Sequence, residues 1–215
     1  LRYAGAAIRL DKELPVTAGL GGGSADAAAV LRLLQRLWSR SLNGAALRAL
    51  ALSLGADVPV CLDSRPALMS GIGEIVTPLS GGVRDALSGL GIILVNPRLA
   101  LPTPSVFRAL AGRFGPPLPG GDLPAGRLDL VEVLRAQRND LQSPAIALCP
   151  VIGEILSALE ATDGVLLARM SGSGATCFGL CADRASALAG AEGLRRARPE
   201  WWVAGGGMWQ GRERP

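Results

Sequence analysis

The fold class this sequence predicts is α+β, and three observations lead there. Of the 215 residues, 49% are hydrophobic and 19% charged, the balance of a chain that buries a sizeable core. Helix-period and strand-like segments both occur. In the half after Gly91 they run roughly β-α-α-β-β-α-β, an order that lays helices over one face of a sheet. Near the N-terminus a run of glycines enters a strong helix former: residues 14–31 read LPVTAGLGGGSADAAAVL.

The elements follow in order. Residues 5–11, GAAIRLD, alternate briefly and read as a strand. From Ser24 to Trp38 apolar residues recur at Ala27, Leu31, Leu34 and Trp38, opposite Arg32, Gln35 and Arg36, which predicts a mostly buried helix. NGAALRALALSLGAD gives a second helix, with Asn43 as N-cap and Gly55 just past its end. RPALMSGIGEIVTPL reads as a short β-hairpin. GIILVNP (91–97) is a continuous apolar strand stopped by Pro97. Residues 112–127 are rich in Gly and Pro and predict a surface loop. LDLVEVLRAQRNDL and PVIGEILSALEA read as helices. GVLLARM and ATCFGLC read as strands on either side of SGSG. ALAGAEGLRRA is a further helix, WWVAGGGMWQ a last strand and GRERP a frayed tail.

Composition excludes several functions. No histidine occurs, which removes a Ser-His-Asp triad, a Cys-His pair and any His-containing zinc site. The four cysteines form no C-x-x-C pair and read as core thiols of a reducing, cytoplasmic compartment. The net charge of +4 comes from scattered arginines, with few aromatics, so a basic nucleic-acid face is not expected. No run of about 18 uncharged apolar residues is present, so no membrane span is expected. The opening LRYAGAAIRL lacks a signal-peptide h-region and starts as though inside a strand.

The glycine junction points to an anion. A helix N-terminus carries unpaired N–H groups and about half a positive charge. Glycines ahead of it let the backbone wrap a phosphate without Cβ clashes. Gly19, Gly21, Gly22 and Gly23, entering a helix at Ser24, suit a polyphosphate. Ser24 could cap the helix, contact a phosphate oxygen or reach a bound Mg²⁺. A plain glycine-rich turn is the bland alternative. The P-loop pattern fails, because no lysine follows Gly23, and the dinucleotide pattern is only half met.

PVTAGLGGGSADAAA resembles the second motif of the GHMP kinases. Within them the run is similar to that of the 4-diphosphocytidyl-2-C-methyl-D-erythritol kinases. LGADVPVCL, GIGEIVTPL, NPRLALPTPSVF, RNDL and MSGSGATCFGL follow in that family's order. The resemblance implies a two-domain fold: a ribosomal-protein-S5-like ATP-binding domain over residues 1–80 and a ferredoxin-like domain over 90–210. It also implies an N-terminal segment with an active-site lysine ahead of the residue matching Leu1. The first domain is therefore expected to be partial, and activity of the 215-residue chain alone is left open.

The resemblance implies ATP-dependent phosphorylation of the 2-hydroxyl of 4-diphosphocytidyl-2-C-methyl-D-erythritol, in isoprenoid precursor synthesis, with Mg²⁺. Asp57 is implied as the catalytic base, a role that a positioned carboxylate can fill; a turn or cap aspartate is its plainer reading. Pro15, Val16, Thr17, Ala18, Gly19, Leu20, Gly21, Gly22, Gly23, Ser24 and Ala25 are implied as the ATP-binding loop. Thr103 and Phe107 would line and stack on the cytosine, with Gly172, Ser173 and Gly174 contacting substrate or phosphate; core packing is the alternative for Phe107 and a plain hairpin turn for SGSG. Asp26 is given a structural role, and Asp63 and Glu74 are read as solvated. A monomer or weak homodimer without nucleic-acid or membrane partners is expected. Other readings are a homoserine- or mevalonate-type kinase of the same superfamily, a non-catalytic nucleotide-binding remnant, or a basic RNA-binding module.

Overall fold

The computed structural model describes residues 5–16, 18–116 and 123–208. They form two compact units. Of the described residues, 5–14 and 21–79 build one, and 15–16, 18–20, 80–116 and 123–208 build the other.

The first unit holds α1 (Gly22–Leu37), α2 (Gly44–Leu54), α3 (Val58–Asp63) and the hairpin β1 (Ala67–Ser70) and β2 (Ile75–Pro78). Its small core joins Ala28, Ala51, Val58 and Leu62, with Leu31 and Leu47 packed against them. The Asn43 side chain accepts the Ala46 amide at 2.8 Å, so α2 is capped as its sequence predicts. Arg32 on α1 donates to the carbonyls of Cys61 and Leu62, closing the C-terminal end of α3.

Three expectations fail in this unit. Residues 5–11 form no strand; no ladder partner lies beside them among the described residues, and alternation alone cannot supply one. The helix predicted from Ser24 starts two residues earlier. It is also less buried than its pattern suggests: Ala28 is its one buried residue among those described, while Leu33, Leu37 and Trp38 are exposed.

The second unit runs α4 (Gly81–Ser88), β3 (Gly91–Asn96), α5 (Thr103–Leu110), α6 (Arg127–Ala136), α7 (Gln142–Leu148), α8 (Val151–Glu160), β4 (Val165–Met170), β5 (Cys177–Cys181), α9 (Arg184–Ala197) and β6 (Trp202–Gly207). The four strands form one antiparallel sheet in the order β4-β5-β3-β6. Two more helices than predicted separate β3 from β4. The sheet is covered on both faces, not one. Ile93, Val95 and Cys177 meet Ile152, Ile155 and Leu159 of α8 and Ala187 and Ala191 of α9. Leu180 on the other side packs with Leu90 and Val131, near Ile92 and Leu134. This explains why GIILV is apolar without alternation. At Gly205 the helix α9 comes so close that a Cβ would lie 2.6 Å from the Ala187 carbonyl oxygen.

The Gly- and Pro-rich loop is seen at both ends, and its middle, 117–122, lies outside the described residues, as do the end of the last predicted strand and the GRERP tail. No helix among the described residues is long and apolar enough to cross a membrane.

Candidate functional site

In the first unit, Gly21 takes the N-cap position of α1 at φ 65°, and Gly22, Gly23 and Ser24 are its first three helical residues. Ser24 is therefore not the cap that its sequence suggests; glycine's freedom lets the chain turn into the helix earlier. The Ala25 amide already bonds the Gly21 carbonyl at 2.9 Å, which leaves the amides of 22–24 as the donors of this end. A Cβ at Gly21 or Gly23 would meet nothing within 4 Å, so the backbone here faces open space. Lys12 forms an ion pair with Asp26, and its ammonium lies 3.4 Å from where a Gly22 Cβ would stand. Asp26 is thus structural as expected, although it sits beyond the first turn of the helix.

Asp57 occupies the N-cap position of α3 but makes no capping hydrogen bond, and it is exposed. The carboxylate is not spent on the helix end, against the plainer reading of a cap aspartate. Its negative charge reinforces the effect of burial in pushing the Cys61 thiol up, while Arg32 pulls it down. The hairpin tip packs next to it in the fold: Gly73, at φ 119°, sits so that a Cβ would be 2.5 Å from the Ala56 carbonyl oxygen. Glu74, expected to be merely solvated, turns back to accept the Ile72 amide at 2.7 Å. Asp63 pairs with Arg48 at 3.3 Å.

In the second unit, the SGSG stretch is the start of a six-residue connection from β4 to β5. Ser171 N–H bonds the Thr176 carbonyl and Gly174 N–H bonds the Ser171 carbonyl, both at 2.9 Å. It is more than a plain turn, because residues 18–19 lie against it. The Ser171 hydroxyl donates to the Gly19 carbonyl at 2.8 Å, and the Thr176 amide to the Ala18 carbonyl at 3.3 Å. A Cβ on Gly19 would stand 2.5 Å from the Gly174 oxygen and 2.6 Å from the Ser171 oxygen. Below the loop, Asn96 at the end of β3 donates to the buried Thr176 hydroxyl at 2.8 Å and accepts the Arg98 amide at 2.7 Å. That anchors the segment leading to α5.

Thr103 opens α5, and its hydroxyl meets that of Ser173 at 2.7 Å. The prolines of LPTPSVF suggest a loop, yet the segment is helical from Thr103 because Pro104 stands in the first turn, where no N–H is needed. Phe107, one turn after Thr103, is 47% exposed and so is not a core residue.

Reading the residues misses one part of this arrangement. Asn139 donates through one side-chain nitrogen to the carbonyls of Met170 (2.9 Å) and Gly172 (2.8 Å), while its oxygen accepts the Leu141 amide at 3.0 Å. The sequence places it in a helix running to Leu141, but α6 ends at Ala136. The poor helix propensity of Asn and Asp in RND is the signal that could have found it. Next to it, the Gly115 amide and then Arg138 hold the Asp140 carboxyl below the usual range.

The family model for the GHMP kinases N terminal domain matches residues 1–65, and that for the GHMP kinases C terminal matches residues 122–199. Over 200 residues the chain is 53% identical to a 4-diphosphocytidyl-2-C-methyl-D-erythritol kinase of Cereibacter sphaeroides, covering 93% of this chain and 69% of that protein. The chain belongs to the GHMP kinases. A crystal structure of 4-(cytidine 5'-diphospho)-2C-methyl-D-erythritol kinase superposes on this GHMP kinase with a TM-score of 0.70 at 37% identity, covering 93% of this chain and 70% of that one. A homoserine kinase from Cytophaga hutchinsonii gives the same TM-score at 16% identity, over 93% and 69%, and so shares the fold.

In this GHMP kinase, the predicted site residues fall in both units. Gly21–Ala25 and Asp57 lie in the first; Pro15, Val16, Ala18, Gly19, Leu20, Thr103, Phe107 and Gly172–Gly174 lie in the second. Thr17 lies outside the described residues. The structure brings Gly19, Gly172, Ser173, Gly174 and Thr103 together by direct contacts. The thiols offer no nucleophile: burial pushes Cys177 up to about 12 and Cys181 up to about 11. Among the described residues no cluster of three or more His, Cys, Asp or Glu side chains could hold a metal ion.

Proposed function

We propose that this kinase transfers the γ-phosphoryl group of ATP to the 2-hydroxyl of 4-diphosphocytidyl-2-C-methyl-D-erythritol. The observation that carries the reading is the 53% identity, over 93% of the chain, with a kinase named for that substrate. A helix end with open donors beside Lys12 supports the phosphate side of the reading.

The chemistry follows from the residues. The amides of Gly22, Gly23 and Ser24 donate to phosphate oxygens, and the glycines leave room for that approach. The substrate oxygen attacks the γ-phosphorus, the bond to the bridging oxygen breaks, and ADP leaves. Asp57 accepts the hydroxyl proton; its exposed carboxylate, not used as a cap, suits that task. Pro15–Ala25 is assigned to ATP, and Thr103, Phe107 and Gly172–Gly174 to the cytidyl substrate, with the half-exposed Phe107 ring offering a stacking face. Ser24 is the side chain assigned to Mg²⁺, an ion that would neutralise phosphate charge. Residues 1–80 are assigned as the ATP-binding domain and 90–210 as the second domain. Four free thiols fit a reducing compartment such as the cytoplasm.

The test is transfer of labelled γ-phosphate from ATP to the cytidyl substrate, with homoserine and mevalonate as competing acceptors. Transfer to the cytidyl compound alone supports the reading. Preferential transfer to homoserine or mevalonate overturns the substrate assignment.

A further inference from the structure

We propose that Asn139 is a positioning residue for the reaction: it fixes the Gly172–Ser173 peptide so that the Ser173 N–H faces away from Asn139 as an anion donor. The inference rests on the reading of Gly172–Gly174 as a substrate or phosphate contact.

The geometry starts from a planar trans peptide, in which the carbonyl and the following N–H point in opposite directions. The Gly172 carbonyl is held by the Asn139 carboxamide at 2.8 Å. The N–H of Ser173, on the same peptide, is therefore directed the other way, and it has no acceptor among the described residues. Gly172 stands at φ 53°, a residue for which peptide rotation is cheap. Without a donor at position 139, the same peptide can turn over and aim its carbonyl where the amide now points. That replaces a donor by a repulsive dipole for an anion.

The orientation of Asn139 itself is settled by three contacts. Its nitrogen faces two carbonyls, and its oxygen faces the Leu141 amide. A reversed amide would set oxygen against both carbonyls. Gln142 provides the natural comparison. Its side chain accepts the Met170 amide at 3.0 Å and so ties the same strand end, but among the described residues it makes no hydrogen bond to residues 171–174. A purely structural role for Asn139 would make the two residues equivalent.

The experiment uses the full chain, with steady-state kinetics for ATP and the cytidyl substrate and thermal unfolding measured in parallel. Asn139→Ala should lower kcat/KM by about 10- to 100-fold, chiefly through kcat, as expected for a lost transition-state donor. Gln142→Ala should lose stability with kcat within about twofold. Asn139→Asp gives a pH signature. Its carboxylate cannot donate to the two carbonyls, and their proximity favours the protonated form, which can donate to one. The activity of Asn139→Asp relative to native should therefore rise as pH falls from 8 towards 5. Equal kcat losses in Asn139→Ala and Gln142→Ala, or a flat pH ratio for Asn139→Asp, overturn the proposal. If Asn139→Ala does not fold, the pH ratio of Asn139→Asp decides alone. Absence of transfer in the native chain instead overturns the functional reading on which the inference rests.

Discussion

Replacing Gly19 by alanine should damage this protein by an amount its contacts allow us to work out. The new Cβ would stand 2.5 Å from the Gly174 oxygen and 2.6 Å from the Ser171 oxygen, where ordinary contact begins at 3.4 Å. Both atoms are backbone, so no side-chain rotation relieves the clash; one segment must retreat by roughly 0.9 Å. Retreat lengthens two hydrogen bonds, Ser171 Oγ to Gly19 and Thr176 N to Ala18, worth about 0.5–1.5 kcal/mol each. The positive φ of 68° adds about 1–2 kcal/mol for a residue with a Cβ. The expected loss is about 2–5 kcal/mol, or a fall in Tm of roughly 4–20 °C. KM for ATP should rise about tenfold if the loop binds nucleotide. Gly21→Ala is the control, with a similar φ of 65° but nothing within 4 Å of its Cβ, and it should lose only the conformational part. The assays are differential scanning calorimetry and ATP-dependent turnover. Equal Tm losses for Gly19→Ala and Gly21→Ala would refute the packing argument.

Two further outcomes follow from the same geometry. Gly73→Ala should lower kcat about 10- to 100-fold, because the methyl group would displace the Ala56 carbonyl next to Asp57, and a misplacement near 1 Å is that costly; steady-state kinetics with a circular-dichroism check of folding measure it, and native kcat in a folded variant contradicts it. Asp183 caps α9 by accepting the Ser186 amide at 2.8 Å, and that backbone bond lowers its pKa. A lowered carboxylate stabilises the fold above its unfolded value of about 3.9 and ceases to do so as pH falls through the folded value. Urea unfolding should show native and Asp183→Ala well separated at pH 6 and converging below pH 4; a gap that stays constant with pH contradicts it.

Elements with strong local signals were legible: Asn43 capping α2, the apolar run of β3, the hairpin around GIGE and the helix-period pattern of α8. Failures arose where a neighbour decides. Residues 5–11 alternate like a strand, yet a strand needs a ladder partner. The Ser80 cap of α4 went unread because Gly81 and Gly82 open the helix, and burial of Val83 and Ala86 outweighs their weak propensity. Pro102 and Pro104 hide α5 from a local reading, although a first-turn proline is tolerated. In the candidate site, the glycine run announces itself by residue type and spacing, while Asp57 and SGSG take their roles only from the resemblance to the GHMP kinases. Asn139 stands out only as part of RNDL and without a role, because its partners are carbonyls more than 30 residues away and carbonyls carry no sequence signal.

Comparing native protein with Asp57→Asn in the cytidyl-substrate transfer assay, with ATP binding measured by calorimetry, decides whether Asp57 is the base proposed above for phosphoryl transfer in this GHMP kinase. Turnover should fall by about 10²- to 10⁴-fold while ATP still binds. Native turnover in Asp57→Asn would rule out Asp57 as the base.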